Sequence, residues 1–126
     1  MNRTILIIED HADISENTAE LLELSGYTVH TASDGKLGIE YTLKYKPHLI
    51  LCDIMMPKMD GYHVLKTLIN SPSTSKIPFV FFTAKSEEAD VRKGIELGAC
   101  GYIVKPFEND ELLKVVAEKL QFIKSL

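Results

Sequence analysis

Short apolar runs alternate five times with longer stretches patterned for helices, and this alternation limits the folds open to the chain more than any single residue does. The runs are "TILIIE" at 4 to 9, "YTVHTA" at 27 to 32, "HLILCD" at 48 to 53, "IPFVFFT" at 77 to 83 and "GYIVK" at 101 to 105. Four are nearly continuous hydrophobic over three residues or more, as parallel strands covered on both faces require, and only 27 to 32 reads as half exposed. The first intervening segment opens with Asp13 and Glu16 in capping-box spacing, sets Ile14, Thr18, Leu21 and Leu22 on one face and stops at Ser25-Gly26. The last starts at Asn109 and carries Leu112, Leu113, Val116, Leu120 and Ile123 at three-and-four spacing, with Asp110 and Glu111 near its positive end. Segments 34 to 46, 60 to 70 and 87 to 97 supply the other helices. Five strand-helix units in succession predict a doubly wound α/β domain with right-handed crossovers.

The totals agree with one compact domain over residues 1–126. With 45% hydrophobic and 25% charged residues, a chain of this length hides roughly two thirds of its unfolded surface. Fourteen basic residues stand against eighteen acidic ones, a net charge of -4. That balance argues against nucleic acid or an anionic membrane as a direct partner. No apolar stretch approaches the ~20 residues that cross a bilayer, and "MNRTILIIED" meets acid too early for a secretory signal, so a cytoplasmic location is predicted. Cys52 and Cys100 form no CxxC pair and read as reduced core thiols.

In an open parallel sheet, ligands collect beyond the carboxyl ends of the strands. Glu9 and Asp10 follow the first strand, Asp53 the third, Thr83 ends the fourth, and Lys105-Pro106 closes the fifth. Two unit charges ~4 Å apart repel by about 4 kcal/mol at an effective dielectric of ~20, and three carboxylates meet here. A cation is the natural remedy, and oxygen ligands in a shallow, watered site suit Mg²⁺, with Mn²⁺ as substitute. The first strand-to-helix loop reads "EDHAD", where nucleotide and flavin binders place Gly, Ser or Thr to cradle phosphate. This loop repels bare phosphate but favours a metal that recruits a phosphoryl group. Lys105 and Thr83 are suited to hold the oxygens of that group, and Asp53, beside the metal, to be the nucleophile.

The segments "IIED", "LILCDIMMPKMDG", "FFTAK" and "GYIVKPF" resemble the receiver domain of two-component response regulators, and the likeness runs along the whole chain. The resemblance implies a flavodoxin-like sheet of strand order 2-1-3-4-5 with five helices. It implies that Asp53 accepts a phosphoryl group from a phosphohistidine on a sensor histidine kinase or phosphotransfer protein. Glu9, Asp10, Asp53 and the backbone carbonyl of Met55 would hold Mg²⁺. Thr83, Lys105 and the backbone amide of Ala84 would bind the phosphoryl oxygens. Tyr102 would rotate inward as Thr83 moves, and the Lys105-Pro106 bond would be cis. Such a domain catalyses only its own phosphorylation and dephosphorylation, and it signals by changing the face around the fourth helix, fifth strand and fifth helix toward a protein target the sequence does not name.

Taken singly, these residues read more plainly: Asp53 as a cap, Lys105 as a solvated lysine, Thr83 as a strand end and Tyr102 as core. Their joint placement carries the sharper reading. His11 reads as solvated in its turn, His30, His48 and His63 show no pattern, Met55, Met56 and Met59 read as loop packing, and Gly61 as serving the turn into the third helix. Glu9 stands where many receivers carry Asp. "GACGY" at 98 to 102 lacks the aspartates of receivers that dimerise through this face, so that dimer is not carried over. Met55 and Lys85 flank the expected path of hydrolytic water, and an apolar Met55 predicts a long-lived phosphoaspartate. The chain ends just after the fifth helix, as a stand-alone receiver would, and a piece of a longer regulator would read the same. Two other functions stay open: a Mg²⁺-dependent aspartyl-phosphate phosphatase of the haloacid dehalogenase type, which would want a second Asp where Met55 stands, and a receiver-like interaction module that is not phosphorylated.

Overall fold

Each apolar run becomes a strand. The computed structural model describes residues 3–124, the side chains of residues 122–124 excepted. The strands are β1 (Thr4–Ile8), β2 (Thr28–Ala32), β3 (Leu49–Cys52), β4 (Phe79–Thr83) and β5 (Gly101–Val104), and the helices are α1 (Ala12–Leu24), α2 (Gly35–Tyr45), α3 (Gly61–Ile69), α4 (Glu88–Leu97) and α5 (Asn109–Lys124). The strands pair in parallel in the order β2-β1-β3-β4-β5. This is the doubly wound, flavodoxin-like α/β architecture with five helices that the sequence predicts.

Side chains alternate across a strand, so a continuous apolar run feeds two cores. Leu6, Ile8, Ile50, Cys52, Phe79 and Phe81 pack with Val64, Leu65 and Leu68 of α3 on one face. Ile5, Ile7, Leu49, Leu51, Val80 and Phe82 pack with Leu22 of α1 and with Leu112, Val116 and Leu120 of α5 on the other. The side chain of Ile123, assigned to that same apolar stripe, lies outside the described residues. β2 is half exposed as read, but so is β5, where only Ile103 is buried. The correction follows from strand order, because β5 is the other edge of the sheet.

Helix starts are set by carboxylates at two places. Asp34 accepts a hydrogen bond from the Leu37 amide at 2.8 Å and Asp60 from the His63 amide at 2.9 Å, each worth about 1 kcal/mol as an N-cap. The capping box expected at Asp13 and Glu16 is not formed. The link from β1 is short, so the helix begins at Ala12 with His11 as its N-cap, and Asp13 falls inside the first turn. There it serves only the helix dipole. α1 ends at Ser25, and Gly26 follows with a φ of 99°, the left-handed region that glycine enters without strain.

α4 is seated differently from the other helices. Its one buried residue is Gly94, and a β-carbon there would lie 3.0 Å from the Phe81 ring and 3.3 Å from the Tyr102 ring. The helix approaches the sheet through a missing side chain.

Cys52 is buried in the core as read, whereas Cys100 is exposed and is no core thiol. Its backbone amide, donating to the Phe79 carbonyl at 2.9 Å, ties this turn to the sheet. Among the described residues, no helix is long and apolar enough to cross a membrane.

Candidate functional site

Strand register carries the site residues to one edge. Ile8 stands opposite Cys52, so Glu9 and Asp53 leave β1 and β3 side by side, where the order of strands reverses direction. The Asp53 amide donates to the Ile8 carbonyl at 3.0 Å, which fixes the chain beyond the last ladder pair. Thr83 stands opposite Val104, and the Lys105 amide donates to the Thr83 carbonyl at 2.8 Å. From there the lysine stem crosses the Phe82 ring, with its ammonium 4.7 Å from the ring centroid. The Lys105-Pro106 bond that follows is cis, as the resemblance implies.

Glu9 and Asp53 are 1% and 4% exposed, and unpaired they would be costly to bury. Lys105 resolves this by bridging them: its ammonium donates to Asp53 Oδ2 at 3.2 Å and to Glu9 Oε1. Asp53 Oδ1 accepts from the Met55 amide at 3.2 Å. Burial holds the Glu9 carboxyl above the usual carboxylate range. The Lys105 hydrogen bond pulls it back, and the Asp53 charge adds to the upward push.

Asp10 Oδ1 is different, being buried with no hydrogen-bond partner. A buried oxygen left so calls for a partner. Glu9, Asp10, His11 and Asp53 each offer a ligand atom, all within 4.8 Å of one another. A donor set rich in carboxylate oxygen, with one orphaned acceptor, fits a hard divalent cation. His11, read as solvated, is only partly so: its Nδ1 lies 3.3 Å from Glu9 Oε2 and 3.4 Å from Asp10 Oδ1.

The rest of the predicted set lies around this cluster. Thr83 is fully buried, with its hydroxyl 3.4 Å from the Lys85 amide, while Ala84 next to it is exposed. The Tyr102 hydroxyl donates to the Lys85 carbonyl at 2.7 Å and its ring lies 6.0 Å from Phe81. Tyr102 is partly buried by these contacts, and burial pushes its phenol well up. Lys85 pairs with Asp90 at 3.6 Å.

Two residues correct their expected parts. Met56 and Met59 pack against the core, but Met55 is 57% exposed and packs nothing into the loop. Gly61 lies outside the positive-φ glycines and serves no strained turn. A β-carbon there would lie 2.3 Å from the Asp53 carbonyl oxygen and 2.8 Å from the Ile54 Cα, so Gly61 permits α3 to approach the backbone that carries Asp53. Two histidines without sequence pattern also have partners: His48 Nδ1 accepts from the Thr4 amide at 3.0 Å, and His30 stacks on Tyr45 at 3.7 Å. Both pairings join residues distant in sequence, which periodicity does not reveal.

A doubly wound sheet with an acidic, lysine-bridged cluster at its switch point defines a class of α/β domains, the one that includes the chemotaxis receivers. The chain belongs to the response regulator receiver domain family, which it matches over residues 5–117. It is 45% identical to the transcriptional regulatory protein DltR of Streptococcus agalactiae, over 86% of this chain and 48% of the relative. It is 42% identical to the alkaline phosphatase synthesis transcriptional regulatory protein PhoP of Bacillus subtilis, over 89% of this chain and 46% of the relative. The chain thus spans about half the length of these curated relatives. Among solved structures, the Vibrio cholerae chemotaxis protein CheY4 superposes with a TM-score of 0.89 at 27% identity, covering 94% of this chain and 98% of that one.

Proposed function

We propose that residues 1–126 act as a single receiver whose Asp53 accepts a phosphoryl group from a phosphohistidine on a sensor kinase or phosphotransfer protein. The observation that carries this reading is the sharing of Lys105 between the buried Asp53 and Glu9, beside an unpartnered Asp10 oxygen. An Asp53 carboxylate oxygen forms the new bond to phosphorus as the phosphorus-nitrogen bond of the donor breaks. The electron pair returns to the donor imidazole, which then takes up a proton. Glu9, Asp10, Asp53 and the Met55 carbonyl would hold Mg²⁺ or Mn²⁺, which would supply charge neutralisation for the phosphoryl oxygens. Lys105 leaves its two carboxylates to contact a phosphoryl oxygen, and Thr83 and the Ala84 amide contact the others. A groove of about 600 Å³, lined in part by Ile14, Thr18, Leu21, Ala84 and Lys105, opens beside Lys105 and leaves room for a phosphohistidine donor to approach.

Phosphorylation adds about two negative charges beneath Thr83 and Lys85, whose carbonyl holds Tyr102. Output is a changed protein-binding surface around α4, β5 and α5, with a protein as the downstream target. In this reading the chain binds neither nucleic acid nor membrane itself, works in the cytoplasm and turns over nothing but its own phosphoryl group. The test is intact mass after incubation with Mg²⁺ and acetyl phosphate. One phosphoryl group is expected on the wild type and none on Asp53→Ala. No gain on the wild type, with divalent-cation binding confirmed, leaves a constitutive interaction module instead. Steady turnover of a phosphomonoester would mark a phosphatase.

A further inference from the structure

We propose that His11 is a nitrogen ligand to the cation held by the acidic cluster, making the site selective for borderline transition ions such as Co²⁺ and Ni²⁺ beyond what its carboxylates alone would give. The inference rests on the reading of Glu9, Asp10 and Asp53 as a cation site and adds a donor to it. Two atoms bound to one ion at ~2.1 Å lie ~3.0 Å apart at a right angle and ~3.4 Å apart at a tetrahedral angle. His11 Nδ1 lies 3.3 Å from Glu9 Oε2 and 3.4 Å from Asp10 Oδ1. The imidazole therefore already sits at the separation that ligands of a single ion keep.

Three further features support ligation. The Glu9 oxygen facing His11 is Oε2, whereas Lys105 takes Oε1, so the lysine and the imidazole do not compete for one atom. The His11 amide also donates to Glu9 Oε2 at 3.2 Å, which anchors the backbone that carries the ring. The Asp10 oxygen nearest the ring is the one with no hydrogen-bond partner. Because the His11 side chain is 67% exposed, little ordered structure has to give way for it to bind. Imidazole favours Co²⁺, Ni²⁺ and Zn²⁺ over Mg²⁺, which prefers oxygen and keeps its waters.

The competing account is that His11 only donates a hydrogen bond that orients Glu9. The two differ in selectivity, because an orienting role serves every cation alike. The test is calorimetric titration of the chelator-stripped chain with MgCl₂, CoCl₂ and NiCl₂, for wild type, His11→Gln and His63→Ala. Glutamine still donates a hydrogen bond but lacks the ring nitrogen, and His63 is an exposed histidine on α3 that controls for adventitious binding. We expect His11→Gln to weaken Co²⁺ and Ni²⁺ by about tenfold or more while Mg²⁺ stays within about twofold, and His63→Ala to change neither. Equal weakening of all three ions, no weakening of Ni²⁺, or the same loss in His63→Ala overturns the proposal. If the wild type binds Mg²⁺ and His11→Gln changes nothing, only the role of His11 falls. If the wild type binds no divalent ion, the cation site falls with it.

Discussion

Gly61→Ala tests whether the position of Asp53 depends on a close backbone approach. The new β-carbon would lie 2.3 Å from the Asp53 carbonyl oxygen and 3.0 Å from the carbonyl carbon. Ordinary contact is about 3.4 Å, so either α3 or the Asp53 backbone must shift by about 1 Å, and neither is a flexible side-chain end. Overpacking of this kind costs about 1–3 kcal/mol, and replacing glycine by alanine in a helix returns about 0.5–1 kcal/mol. The net loss is about 0–2.5 kcal/mol, which at roughly 3–5 °C per kcal/mol for a domain of this size lowers Tm by at most about 12 °C. The effect on phosphorylation should be larger, because a shift of ~1 Å in a reacting group can slow a reaction by roughly a hundredfold. Thermal unfolding by circular dichroism and timed intact mass with acetyl phosphate measure the two quantities. Gly35→Ala is the control, since the atoms nearest its methyl, at 2.9–3.0 Å, belong to the Met59 and Val64 side chains and not to the backbone that carries Asp53, and it should leave the phosphorylation rate alone. A Gly61→Ala protein that accepts phosphate at the wild-type rate would refute the reasoning, whatever its Tm.

Lys105→Met removes the cation shared by Glu9 and Asp53. Breaking such a buried pair costs about 3–5 kcal/mol in metal-free protein, so the urea midpoint should fall and Mg²⁺ should raise it more in the variant than in the wild type; a smaller Mg²⁺ shift in the variant would contradict this. Because the folded Glu9 carboxyl lies above its ordinary value of 4.5, the folded state holds that proton more tightly than the unfolded chain. Metal-free stability therefore falls as pH rises from about 4.5 through the folded value. Glu9→Gln should match the wild type near pH 4 and exceed it at neutral pH, and a wild-type advantage that grows with pH in chelator would reverse the sign. The phosphorylated protein should keep its phosphoryl group for minutes, because Met55 is exposed and apolar and the Lys85 ammonium is tied to Asp90, so that neither flanking side chain is free to orient water. Complete loss within seconds of removing the donor refutes this.

The residues that reveal the fold in sequence are those whose pattern is local. Leu49 to Cys52 read as a strand covered on both faces because α3 lies on one side and α1 and α5 on the other, so nothing polar interrupts the run. Glu9, Asp10, Asp53, Thr83 and Lys105 were legible as a group because each marks a strand end, and parallel strands bring all such ends to one edge. What sequence pattern could not reach depends on distances between chain segments. That His11 turns toward two carboxylates is set by where α1 begins, two residues earlier than the capping-box spacing suggests. That β5 is half exposed follows from its edge position and not from its composition. The role of Gly61 is a contact with a carbonyl eight residues away, and no turn signal encodes it.

Helix α4 holds its place with buried Gly94 and the partly buried Leu97, where α5 uses three buried leucine and valine side chains. Lifting α4 would expose less apolar side-chain area of its own than lifting α5, so its amides should exchange with solvent through local openings cheaper than global unfolding. Hydrogen exchange should grade the domain accordingly, with α4 fast and β1, β3 and β4 slow, and equal protection of α4 and β3 would contradict it. The helix nearest Tyr102 is thus a loosely moored part on a rigid base. A modest change in charge at the strand ends needs only fractions of the domain's total stability to redirect it, and an extra methyl at Gly94 would work the same lever from within.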